Sequence, residues 1–181
     1  MTRILVTGNL HGHLDEFKSL LQEVNYNSEN DILITLGNYL NYGNKQIEMI
    51  DFLIELEKKG AIVLCGNHEE YYIDALINSD FTAEQKITKS KNVFYQYLDN
   101  PEIRNKHMKF LVSLKDSHTI DNNFFSSSKE IINGYMNYYC IDDLTCIEDF
   151  IQEESSMGIN FYNSSIGIVD ITNRKVTKIL I

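Results

Sequence analysis

Three short apolar runs, separated by two stretches of helical periodicity, open the chain. Arg3–Thr7, Asp31–Leu36 and Ala61–Cys65 are brief, rich in Ile, Leu and Val, and each ends at a Gly-Asn pair, which predicts buried strands. Between the first two, Leu14–Val24 places Leu14, Phe17, Leu20, Leu21 and Val24 on one helical face. Between the second and third, Ile47–Lys59 does the same with Ile47, Met49, Ile50, Phe52, Leu53 and Leu56, and Gly60 stops it. The order is βαβαβ, which calls for parallel strands joined by helical crossovers.

Beyond this half, roughly Glu70 to Lys115 has helical character in three pieces. Asn100-Pro101 marks a break, because the residue before proline disfavours helix and proline suits a helix's first turn. Strand patterns follow at His118–Asp121, Phe124–Ser127 and Tyr135–Ile141, then a helix over Asp142–Glu153. Ile166–Ile171 and Lys175–Ile181, joined by Thr172-Asn173-Arg174, predict a closing hairpin. The expectation is an α/β domain: a βαβαβ half, then helices and a mostly antiparallel C-terminal sheet, giving a β-sandwich flanked by helices. No internal repeat or composition change divides it, so residues 1–181 are read as a single domain.

Composition narrows the partners. Of 181 residues, 43% are hydrophobic and 23% charged, ordinary values for one soluble domain. The 26 acidic against 16 basic residues give a formal charge of −10, which argues against nucleic acid or an anionic membrane as partner. The densest basic cluster, Lys86, Lys89 and Lys91, reads as a solvated helix face. No apolar run approaches the ~20 residues that cross a bilayer, and the first apolar run is too short for a signal peptide. A cytoplasmic protein is expected. Cys65, Cys140 and Cys146 are odd in number and lack paired short spacing, so reduced thiols are expected rather than a zinc site or disulfides.

The candidate chemistry lies where the first three strands end. The loops read Gly8-Asn9-Leu10-His11-Gly12-His13, Gly37-Asn38-Tyr39-Leu40-Asn41-Tyr42-Gly43 and Gly66-Asn67-His68-Glu69. Glycine and asparagine often do no more than end strands. Three such loops in succession, two of them carrying histidine, converge at the carboxyl edge of a parallel sheet, where ligands bind.

These loops resemble those of the calcineurin-like metallophosphoesterases, in particular the bacterial serine/threonine protein phosphatases and symmetrical dinucleoside tetraphosphatases. That family carries Gly-Asp-x-His-Gly, Gly-Asp-x-x-Asp-Arg-Gly and Gly-Asn-His-Glu at successive strand ends. The present chain has GNLHG, GNYLNYG and GNHE in matching order across residues 1 to about 75. Weaker similarity continues through His107–Phe125 and in the closing Ile166–Asp170 segment. The resemblance implies a two-metal phosphoesterase fold, with metal-ligand positions at Asn9, His11, Asn38, Asn67 and Ser127. It also implies a catalytic histidine at His68, an orienting group at Asn41 and a phosphate-clamping position at Tyr42.

The departures bear on charge. Two dications ~3.5 Å apart repel by roughly 20 kcal/mol at an effective dielectric of about 20, so the site needs anionic ligands. At Asn9 and Asn38 the family's aspartates are replaced by neutral amides. Asn41 leaves His68 without a carboxylate partner, which makes it a poorer general acid. Tyr42 lacks the bidentate cationic grip of arginine. Ser127 stands at the first late histidine ligand, and no histidine follows His118. His11 is either a live ligand or a histidine bonded to loop backbone, and the same choice applies to His68. Glu69 suits the first turn of a helix, His13 is expected at the crevice rim, and His107 on a helix surface. Tyr39, Tyr42, Tyr71 and Tyr72 either crowd the crevice mouth or pack against the helices.

The expected function is therefore a binding or regulatory pseudo-enzyme that engages a protein or a phosphorylated small molecule. No cofactor is expected; if one binds, it is a single divalent ion such as manganese. Two alternatives stand beside it. One is a weakly active metal-dependent phosphoesterase, acting on phosphoproteins or dinucleoside polyphosphates. The other is a dinucleotide-binding domain, suggested by the glycine turn after the first strand but lacking the G-x-G-x-x-G spacing and an acid closing the second strand.

Overall fold

The computed structural model describes residues 2–78, 93–121, 123–126, 137–140, 156–158 and 165–180. Along the first half run β1 (Arg3–Thr7), α1 (Leu14–Glu23), β2 (Asp31–Thr35), α2 (Gln46–Lys58), β3 (Ile62–Val63) and α3 (Asn67–Asn78). Then come α4 (Val93–Asp99), α5 (Pro101–Leu111), β4 (Ser117–Ile120), β5 (Asn123–Ser126), β6 (Asn137–Cys140), β7 (Ser156–Gly158), β8 (Ser165–Asp170) and β9 (Lys175–Leu180). Pro101 opens α5 with Asn100 before it, as the sequence predicts.

Two sheets result, ordered β3-β2-β1-β8-β9 and β4-β5-β6-β7. β1, β2 and β3 run parallel, which fixes all three carboxyl ends on one edge. Antiparallel pairing joins β1 to β8, β8 to β9 and β4 to β5, whereas β5–β6 and β6–β7 run parallel. Strand alternation divides the core. Leu5, Leu33 and Val63 face the helices and pack with Phe17, Leu20, Met49, Leu53, Tyr72, Tyr97 and Phe110. Their neighbours Val6, Ile34 and Leu64 face the other way and pack with Phe125 and Val169. The first sheet is thus covered on one face by helices and on the other by the second sheet, the helix-flanked sandwich expected.

Local differences have local causes. β3 is shorter than Ala61–Cys65 because the chain turns from β2 after Leu64: Leu64 N–H still donates to Thr35 O at 2.8 Å, but Leu64 also bridges to Lys115 and Cys65 N–H donates to Lys115 O at 2.8 Å. The three-residue β7 escaped sequence reading because Glu-Ser-Ser-Met-Gly shows neither alternation nor an apolar run. The helix expected at 142–153, the lysines at 86, 89 and 91, Cys146 and Ser127 lie outside the described residues. Cys65 is buried, which pushes its thiol up to about 12. Among the described residues, no helix is long and apolar enough to cross a membrane.

Candidate functional site

The loops after β1 and β2 are joined backbone to backbone. Asn9 N–H donates to Gly37 O at 3.2 Å, His11 N–H to Asn38 O at 2.8 Å, and Gly43 N–H to His11 O at 2.7 Å. Such closeness excludes side chains: a Cβ at Gly43 would sit 2.3 Å from His11 O, and one at Gly37 would sit 2.5 Å from Gly66 Cα. Asn9 (φ 56°), Asn38 (59°) and Asn41 (79°) occupy the left-handed region, which asparagine tolerates better than most residues. The backbone shape is thus compatible with asparagine at these positions, and His11 (43°) and Tyr42 (62°) share the same region.

One carboxylate ties the second loop to the third. Glu69 is fully buried; its Oε2 accepts N–H of Asn38 (2.8 Å) and Gly66 (3.0 Å), and its Oε1 accepts N–H of Tyr39 (2.8 Å) and Leu40 (3.1 Å). Burial pushes its carboxyl up to about 7, against the opposing pull of those donors. Glu69 does lie in the first turn of α3, and from there it holds the second loop against the third. Gln46, unmarked in the sequence, is a second clasp. Its Oε1 accepts Asn41 N–H at 2.7 Å and its Nε2 donates to Gly43 O at 2.9 Å. The available signal was a polar residue beginning an amphipathic helix directly after a glycine-hinged loop.

At these loops the expected site residues come together. Asn38 Nδ2 donates to Asn9 Oδ1 at 2.7 Å, and Asn38 Oδ1 lies 3.4 Å from the His68 N–H. His11 Nδ1 bonds Leu40 O at 3.1 Å, and His68 Nδ1 faces Asn41 Nδ2 at 3.4 Å. The His11 ring meets those of Tyr42 and His68 edge to face, each at 5.0 Å between centroids. Asn67 begins α3 and is exposed. Tyr42, 64% exposed, and the half-exposed Tyr71 stand outward, whereas Tyr39 and Tyr72 are buried among the helices. Tyr39 Oη donates to Leu64 O at 2.7 Å and lies 3.0 Å from Thr35 O, so it is a core residue. His13 is half-buried, 4.0 Å from Glu16.

The expectation of a surface His107 is corrected. Its side chain is wholly buried, between the Tyr97 hydroxyl at 3.0 Å from Nδ1 and Asp51 Oδ1 at 2.9 Å from Nε2. A histidine on a lysine-rich helix looks exposed from sequence, but α2 and α4 both pack on that face of α5.

Among the described residues, the donors at the strand-end loops do not fit a two-metal cluster. Among the described residues, no group of three or more His, Cys, Asp or Glu is placed to hold an ion. One hydrogen bond joins the amides of the first and second loops, and neither offers charge against two dications. The dinucleotide-binding alternative also fails, since β1 is flanked by the antiparallel β8 where that fold needs a parallel strand.

Comparison with known proteins agrees with this architecture. One relative, a symmetrical bis(5'-nucleosyl)-tetraphosphatase of Wigglesworthia glossinidia brevipalpis, is 30% identical over 97 residues, covering 54% of this chain and 33% of the relative. A protein of the same name from Nitrosococcus oceani is 38% identical over 66 residues, covering 36% of this chain and 23% of the relative. The aligned part thus spans a third or less of these relatives' length. Among solved structures, a candidate diadenosine tetraphosphatase superposes with a TM-score of 0.66 at 12% identity, covering 99% of this chain and 93% of that one. A metallophosphoesterase from Sphaerobacter thermophilus gives 0.64 at 13% identity, covering 99% and 88%. The family profile described as calcineurin-like phosphoesterase matches residues 2–172. With the strand-end loops and the two-sheet core in place, the chain belongs to the calcineurin-like phosphoesterase family.

Proposed function

We propose that this chain is a pseudo-enzyme, a phosphoesterase fold kept for binding or regulation after two-metal hydrolysis has been lost. The observation that carries the reading is the 2.7 Å hydrogen bond from Asn38 Nδ2 to Asn9 Oδ1. Two carboxylates at that separation would repel unless a cation lay between them; two amides hold each other without one. The loops keep their shape while the charge that would trap metal and activate water is gone. Turned outward are the exposed Tyr42 and Tyr71, which suit contact with a protein or a phosphorylated small molecule.

Hydrolysis of p-nitrophenyl phosphate and of diadenosine tetraphosphate, each with manganese, tests this directly. Turnover at the level of the buffer control is expected. Turnover that a chelator removes would defeat the reading. The double change Asn9→Asp with Asn38→Asp should remain at background, because no histidine follows His118 to complete the ligand set. A second reading, a weak hydrolase using one ion, is favoured by the imidazole pair His11 and His68, and the same chelator-sensitive assay selects it.

A further inference from the structure

The five-stranded sheet ends at β9, away from the strand-end loops. Among the described residues, β9 pairs with β8 on one side and with no strand on the other. An edge of this kind presents a row of backbone N–H and C=O groups to any strand that reaches it. Proteins usually blunt such edges by shortness, bulges or proline. β9 has none of these. It is one of two six-residue strands, the longest described. Its register with β8 runs unbroken from Leu180 opposite Ser165 to Lys175 opposite Asp170, and the chain's single proline is Pro101. The opposite edge of the sheet differs: β3 has two residues, and Leu64 and Cys65 beyond it are taken by Lys115.

Charge selects the occupant. In a chain with 26 acidic and 16 basic residues, residues 171–181 hold Arg174, Lys175 and Lys178 and no acid. All three are exposed, and among the described residues none takes part in an ion pair. Asp170 lies opposite Lys175 in register, but its two oxygens accept the N–H and Nδ2 of Asn173. Alternation puts Lys175, Thr177 and Ile179 on the helix-covered face and Val176, Lys178 and Leu180 on the other. Each face thus mixes one lysine with apolar neighbours, and Leu180 is 81% exposed. We infer that β9 receives an extended acidic segment of a partner protein as a sixth strand. Its acidic side chains lie opposite Arg174, Lys175 and Lys178, and its apolar ones opposite Val176, Ile179 and Leu180. A second copy of this chain fits worse, because two-fold pairing of β9 would set the basic residues of both copies along one seam. Lysine on an edge strand repels copies and attracts an acidic strand by the same charge. A nucleic acid or lipid surface would use that charge but leave the row of backbone groups unanswered. The inference is independent of the pseudo-enzyme reading, since it uses no residue of the strand-end loops.

The test is a nuclear magnetic resonance titration of the full chain with the capped peptide Val-Val-Glu-Thr-Ile-Glu-Glu, which complements β9 in antiparallel register. Saturable shifts at the amides of residues 174–180 are expected at millimolar peptide, with slowed hydrogen exchange at alternate β9 amides. Lys178→Glu should weaken binding roughly threefold or more. Changing the peptide's first Glu, the one opposite Lys178, to Lys should recover that loss in the variant. N-methylation of every second peptide nitrogen separates backbone pairing from charge. In one phase it should cost roughly tenfold in affinity, and in the other it should cost little. Shifts absent from β9, equal binding of a scrambled peptide of the same charge, or equal affinity of the two methylated phases would overturn the inference. So would sedimentation showing a dimer that Lys178→Glu strengthens, which would make the occupant a second copy.

Discussion

Glu69→Ala is expected to lower the free energy of unfolding by on the order of 4 kcal/mol, a large part of the ~5–15 kcal/mol that holds a domain folded. The reason is the number of groups it would orphan. Asn38, Tyr39, Leu40 and Gly66 each direct a backbone N–H at this carboxylate within a fully buried space. Each buried donor left unpaired costs about 1 kcal/mol or more. Glu69→Gln preserves volume but replaces one acceptor oxygen with an NH2 group facing backbone donors, so it should recover only part of the loss. The carboxylate also joins the second loop to the third, so local order should fail along with stability. In amide hydrogen exchange, Asn38–Leu40 and Gly66 should lose protection together in the Gln variant. Denaturant titration showing a change below about 1 kcal/mol for Glu69→Ala would refute this account.

Glu69 also shows what sequence could and could not reveal. The strand and helix pattern of the first half was legible because the apolar period switches cleanly between two and 3.6, and because glycine-asparagine pairs end the strands. The loop motifs were legible as a set, and the structure brings Asn9 against Asn38, Asn41 against His68 and His11 against His68 where the first strands end. Burial of polar groups was not legible. Glu69, Gln46 and His107 are all buried because of what packs on them from distant segments, and local periodicity carries no information about that. The tyrosines divide for the same reason: Tyr39 follows β2 into the core and Tyr42, three residues on, lies outside. Parallel pairing of β5, β6 and β7 was hidden because short strands read alike in either direction.

His107 carries the second large effect, and it depends on pH. The ring joins three helices: its own α5, α2 through Asp51, and α4 through Tyr97. Nε2 faces a carboxylate and must donate, so neutral His107 accepts the Tyr97 hydroxyl proton at Nδ1. Protonation would force the Tyr97 hydroxyl to turn and accept instead, and would place a charge in a dry interior. Burial accordingly holds the imidazole below its ordinary value, even though Asp51 pulls the other way and Lys106, paired to the same Asp51, adds to the lowering. The sign follows from proton counting. Below the ordinary histidine value near 6.5 the unfolded chain binds a proton that the folded chain refuses, so His107's contribution is full above that pH and declines as pH falls towards its folded value. His107→Gln removes the titration. The stability difference between the native chain and this variant should therefore be flat above about pH 7 and shrink progressively below about 6.5. His107→Ala, which opens a cavity and leaves Tyr97 Oη without its ring partner, should cost about 3 kcal/mol at neutral pH. Chemical denaturation of the three proteins between pH 5 and 8 decides the matter. A difference that grows as pH falls would mean that His107 is charged in the folded chain and that the donor assignment at Tyr97 is reversed.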